Sequence, residues 1–139
     1  MDTISTDQIV RLFKGTRLLG EIRNEILRGL AKKSKILSIA KGDNVFKKND
    51  EDSQCGYFVH EGLVGIYRDG FLMANFKPGQ IFGEFSLLDG QPHGATARAE
   101  EDCTLVCLER EVLFEEMKNQ PELSECIIKY LTKRLRRHL

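Results

Sequence analysis

The spacing of apolar and polar positions changes period twice along the chain, and those two changes set out its layout. From Ser5 to about Lys33 apolar residues recur at helical spacing. Ser5-x-x-Gln8 has the form of a capping box ahead of Ile9, Val10, Leu12 and Phe13, and Gly15 is a natural stop. A second helix is predicted from about Leu18 to Lys33, with Ile22, Ile26 and Leu30 on one face and Arg23 and Arg28 to either side of it. From Lys35 the period falls toward two. Short apolar runs at 36–39, 45–46, 57–60, 63–67, 71–76, 95–99 and 104–108 read as strands. Turn signals separate them, among them Glu61-Gly62, Asp69-Gly70 and Pro78-Gly79. No helical segment of ten residues interrupts the series, so the strands should pair antiparallel. The expected fold is mainly β: an antiparallel β-roll (a jelly roll, or double-stranded β-helix) flanked by N-terminal and C-terminal α-helices.

Helical spacing returns at Glu109–Met117, with Val112, Leu113 and Met117 inward, and Pro121 suits the first position of a last helix. That helix carries Leu123, Ile127, Tyr130, Leu131 and Leu135, a broader apolar stripe than docking one surface helix needs, which predicts pairing with a second copy. At 139 residues the chain is expected to be one domain, with N-terminal helices over 1–34, the β-roll over 35–109 and closing helices over 110–139.

Charge alters this picture little. Lys plus Arg and Asp plus Glu balance at 21 each, so no overall field recruits nucleic acid or membrane. The basic excess at the two ends reads first as solvated helix faces. No run is long and apolar enough to span a membrane, and the first residues lack a signal-peptide core, so a cytoplasmic location is expected. Cys55, Cys103, Cys107 and Cys126 show no Cys-x-x-Cys spacing; Cys103 and Cys107 stand roughly 13 Å apart on an extended strand. All four read as small buried hydrophobes in a reducing compartment. His60, His93 and His138 are scattered without a His-x-His pair, and no nucleophile elbow or Walker loop is present. Neither a resident metal or cofactor nor enzymatic catalysis is expected.

The candidate chemistry lies in the stretch from Phe82 to Arg98. Gly83 and Glu84 precede a short apolar turn, Phe85 to Leu88, which stops at Asp89-Gly90 and gives way to the small-residue strand 95–99. A glycine at the mouth of a helical turn lets a ligand approach the backbone, and the first-turn N–H groups favour an anion. Glu84 can accept a hydrogen bond from a sugar hydroxyl, or simply cap the turn.

Taken together, Phe82-Gly83-Glu84, Leu87-Leu88, Pro92 and Ala95-Thr96 resemble the phosphate-binding cassette of the cyclic nucleotide-binding domain family, which includes catabolite activator proteins and protein kinase A regulatory subunits. The resemblance implies a ligand site made of Phe82, Gly83, Glu84, Phe85, Ser86, His93, Gly94, Ala95 and Thr96, with cAMP or cGMP as ligand. Glu84 would take the ribose 2′-hydroxyl, and Gly83 to Ser86 with Ala95 the cyclic phosphate. In the family the last helix lids the base, which makes Tyr130 a candidate stacking residue, although a core role for it is the plainer reading. The pattern departs at its phosphate-pairing arginine, which aligns with His93. Histidine lacks the permanent charge and forked donor of arginine, and ordinarily titrates near pH ~6.5. It is expected here as an imperfect clamp that gains charge toward acid pH. Gly94 offers no hydroxyl to a guanine amino group, which favours cAMP over cGMP. Arg98, five residues on, reads as a solvated strand residue.

Two readings of function follow. One is a regulatory domain that senses a cyclic nucleotide and relays it through the C-terminal helices to an effector protein or a homodimer contact. The other is a degenerate relative that binds no nucleotide and serves as an interaction or dimerisation module. With the chain ending at Leu139, a DNA-reading helix-turn-helix is not expected.

Overall fold

The structure is a computed structural model in which residues 4–51 and 53–139 are described. The chain divides into two compact units. One is the β unit, Ser34–Arg110; the other joins the residues before Ser34 to Glu111–Leu139 and is helical.

The β unit contains β1 (Lys35–Ile39), β2 (Asn44–Phe46), β3 (Cys55–Glu61), β4 (Val64–Arg68), β5 (Phe71–Phe76), β6 (Ile81–Phe82), β7 (Thr96–Ala99) and β8 (Cys103–Glu109). They form two four-stranded antiparallel sheets, ordered β1-β8-β3-β6 and β2-β7-β4-β5. This is the expected β-roll. Strand alternation builds its interior: Tyr57 and Val59 of β3 with Cys103, Leu105 and Cys107 of β8 meet Phe46, Val64, Ala97 and Ala99 of the other sheet. Residues 56–59 and 105–108 are buried at every position, which is why these strands read in sequence as continuous apolar runs. Fully burying a side chain such as Leu105 contributes roughly 1.5–3 kcal/mol. Turns at Glu61-Gly62, Asp69-Gly70 and Pro78-Gly79 fall where the sequence places them, with Asp69 itself at a φ of 53°. β6 was not predicted, because two residues are too few to show a period.

In the helical unit, α1 (Thr6–Lys14) carries both bonds of its capping box: the Gln8 N–H donates to Ser5 Oγ at 3.1 Å and the Ser5 N–H to Gln8 Oε1 at 2.8 Å. α2 (Asn24–Lys33) starts later than predicted. Residues 18–22 are turns, closed by Thr16, whose hydroxyl donates to the Phe13 carbonyl at 2.7 Å and accepts from the Leu19 N–H. Gly20 packs so tightly there that a Cβ would stand 2.5 Å from the Thr16 carbonyl oxygen. Leu18, Leu19 and Ile22 are nevertheless buried, so their apolar spacing reports burial rather than helix. After α3 (Glu84–Asp89) in the β unit come α4 (Arg110–Asn119) and α5 (Pro121–Arg137), with Pro121 in the first turn as predicted. The stripe on α5 splits: Leu123, Ile127 and Tyr130 are buried, whereas Leu131 and Leu135 are 41% and 64% exposed. No helix among the described residues is long and apolar enough to cross a membrane. All four cysteines are free thiols; Cys103 and Cys107 are buried, but Cys55 and Cys126 are only half-buried.

Candidate functional site

Between β6 and β7 the chain leaves the sheets for one turn of helix, and this excursion forms one wall of a pocket. Gly83 sits at φ 74°, in the left-handed region, and precedes α3. A Cβ at this position would lie 3.1 Å from His93 Cε1, 3.2 Å from the Cys55 carbonyl oxygen and 3.3 Å from Tyr57 Cδ2. Glycine is therefore needed for both conformation and space. Gly90, also left-handed at φ 72°, closes α3 with its N–H donating to the Ser86 carbonyl. The exit is pinned by Asp89, whose carboxylate accepts from the Gln91 N–H at 2.8 Å, and by Gln54, whose side-chain amide donates to the Gly90 carbonyl at 3.1 Å. Arg110 Nη1 donates to the Leu88 carbonyl at 3.4 Å.

The pocket has a volume of about 370 Å³, within the range of small-molecule sites. Phe82, Gly83, Glu84, Phe85, Ser86, His93, Gly94 and Ala95 all line it. Thr96 does not: its hydroxyl accepts from the Lys48 N–H at 3.0 Å and fastens β7 to the end of β2. Tyr130 does not line it either. It belongs to the helical unit, 8% exposed, and its hydroxyl accepts from Arg134 Nη1 at 2.7 Å. Arg98 stacks its guanidinium 4.8 Å from the centre of the Tyr67 ring on the exposed side of β7. Sequence reasoning missed the facing wall, made by Phe46, Ile66, Arg68, Ala74 and Phe76 of β2, β4 and β5. No motif marks those residues; only the pairing of β4 with β5 and β7, and of β2 with β7, brings them opposite the cassette.

His93 differs most from expectation. Its side chain is directed into the roll, 5% exposed and stacked on Phe46 with ring centres 3.5 Å apart and planes 8° from parallel. Nδ1 shares a hydrogen bond with Ser86 Oγ and Nε2 one with Ser53 Oγ, each at 3.2 Å, and Ser53 is bonded in turn to the Tyr57 hydroxyl. Burial pushes the imidazole pKa below the ordinary histidine value; hydrogen bonding with Ser53 and the nearby Asp50 carboxylate act in the opposite direction without offsetting it. This works against the acid-charged clamp expected from the sequence, and the ring, bonded through both nitrogens, ties the cassette exit to α3 and to the aromatic floor. Tyr57 and Phe82 complete that floor, stacked at 5.3 Å, with Tyr57 raised well above the usual tyrosine range by burial.

Residues 36–120 match the family model of the cyclic nucleotide-binding domain, and the chain belongs to that family. It is 33% identical over 100 residues to the cyclic AMP receptor protein of Thermus thermophilus, covering 68% of this chain and 46% of that protein. It is 28% identical over 116 residues to a CRP-like cAMP-activated global transcriptional regulator of Mycobacterium tuberculosis, covering 80% and 51%. The chain thus spans about half the length of these curated relatives. Among solved structures, the N-terminal domain of a transcriptional regulator from Streptomyces coelicolor superposes with a TM-score of 0.84 at 26% identity, over 91% of this chain and 92% of that one. The chain is a regulatory domain of the cyclic nucleotide-binding type.

Proposed function

We propose that this chain senses a cyclic nucleotide, cAMP in preference to cGMP, in the β-roll pocket. The observation that carries the reading is the joint lining of one pocket by the Gly83–Ser86 turn, the Glu84 carboxylate and an apolar wall. Such a site has a backbone cradle for a phosphate, an acceptor for a ribose hydroxyl and a surface for a base. Gly94, without a hydroxyl, offers nothing to a guanine amino group and favours cAMP. The names of the Thermus and Mycobacterium relatives, one a cyclic AMP receptor and the other cAMP-activated, support the same ligand.

The signal would leave through Arg110, which touches the end of the cassette helix and is also the first residue of α4. Ligand that shifts α3 would bias the helices that follow, and through them an effector protein or a homodimer contact on the exposed side of α5. The role is regulatory rather than enzymatic, in the cytoplasm.

One observation favours a second reading. The inward-turned His93, its pKa lowered by burial, is a poorer source of charge for an anion than the arginine of the family pattern, so a relative that has given up nucleotide and serves as an interaction module is the competing account. Calorimetric titration of cAMP and cGMP into protein stripped of carried-over ligand by unfolding and refolding separates the two. The proposal expects saturable binding, tighter for cAMP; flat titrations with both nucleotides would favour the interaction module.

A further inference from the structure

We infer that Arg68, at the end of β4, is the residue that pairs with the anionic group of the bound nucleotide; the inference rests on the cyclic nucleotide reading above. Among the described residues lining the pocket, the charged side chains are Glu84, Asp89 and Arg68, and His93 is a buried imidazole committed to two serine hydroxyls. A phosphodiester entering this pocket meets two carboxylates and a single permanent cation. Arg68 is exposed, and no ion pair or hydrogen bond engages its guanidinium among the described residues. Its neighbour Asp69 is occupied by Lys48, whose Nζ lies 3.6 Å from the carboxylate.

Gly94 fixes where the guanidinium lies. Its φ lies outside the left-handed region, so the backbone does not call for glycine there. A Cβ on Gly94 would meet one atom within 4 Å, Arg68 Nη2, at 4.0 Å. That is ordinary contact distance, and it places the Arg68 guanidinium beside Gly94 at the lip of the cassette. A Cβ-branched residue at position 94 is the substitution chosen to crowd the guanidinium. Arginine suits the role, since its planar fork donates two parallel bonds to phosphate oxygens.

The test titrates cAMP into the wild-type chain, Arg68→Gln, Arg68→Lys and Gly94→Val at low and high salt, with thermal melts to verify folding. Arg68→Gln is expected to weaken cAMP roughly tenfold or more at low salt, in line with a lost charge-assisted hydrogen bond. It should also flatten the salt dependence that the wild type shows. Arg68→Lys should recover part of the affinity and most of the salt dependence, a pattern a purely structural role would not produce. Gly94→Val should weaken cAMP in the wild-type background and add little to Arg68→Gln. Wild-type binding that Arg68→Gln leaves unchanged in strength and salt dependence would overturn the assignment while leaving the cyclic nucleotide reading intact. A wild type that binds neither nucleotide would remove both.

Discussion

Replacing Gly83 by alanine probes the point on which the cassette geometry turns. Two costs add. Moving a residue with a Cβ into the left-handed region costs roughly 1–2 kcal/mol. The new methyl would stand 3.1–3.3 Å from His93 Cε1, the Cys55 carbonyl and Tyr57 Cδ2, atoms held by the aromatic stack and the β3 backbone, and such overpacking costs about 1–3 kcal/mol. Reduced freedom of the unfolded chain returns about 0.4–1 kcal/mol. The expected loss is about 2–4 kcal/mol. Two other glycines of the same unit separate the terms. Gly79 has φ 93° with nothing within 4 Å of a Cβ, so Gly79→Ala carries the conformational cost alone and should lose only about 0.5–1.5 kcal/mol. Gly94→Ala carries neither cost and should be neutral or stabilising by about 0.5 kcal/mol. Urea unfolding followed by circular dichroism and tyrosine fluorescence measures all three, since the chain has no tryptophan. Equal losses for Gly83→Ala and Gly79→Ala would refute the close-contact argument, and with it the placement of His93 against the cassette.

Because burial lowers the His93 pKa, the unfolded chain binds this proton more readily; the group's contribution to stability is fully present above pH ~6.5 and is lost as pH falls toward the folded value. Histidine NMR should therefore show the His93 ring titrating below its ordinary range, whereas a midpoint at or above that range would contradict the buried strut. Ser5→Ala removes the hydroxyl that accepts the Gln8 N–H and should cost about 1 kcal/mol in a denaturant melt, with no loss indicating that α1 frays regardless of its cap. Tyr130→Phe deletes the buried acceptor of Arg134 and should cost about 0.5–1.5 kcal/mol; a change near zero would show that the bond to Arg134 contributes nothing.

The β-roll was legible where local rules govern it. Asp69-Gly70 marks the β4–β5 hairpin and the capping box of α1 names its own first turn, whereas Glu61-Gly62, which reads as a hairpin in sequence, instead carries the chain from β3 in one sheet to β4 in the other. The cassette was legible for a similar reason: Gly83, the short apolar turn and Gly90 are constraints of backbone conformation, which glycine reveals in sequence. The rest depends on residues that are distant in the chain. Leu18, Leu19 and Ile22 are spaced like a helix because they are buried, yet Thr16 and Gly20 fold them into turns. His93 aligns with an arginine position, but Phe46 and Ser53, more than 35 residues earlier, turn its ring inward. Arg68 carries no local signal and enters the site only through the pairing of β4 with β7.

The central claim is that the turn following Gly83 holds a cyclic nucleotide, and a titration of cAMP into isotope-labelled protein followed by amide NMR tests it most directly. The account predicts saturable shifts concentrated at the Gly83, Glu84, Phe85, Ser86 and Ala95 amides, with smaller ones at Arg68 and Gly94. A spectrum unchanged at these amides, or saturable shifts confined to residues remote from the cassette, would contradict it.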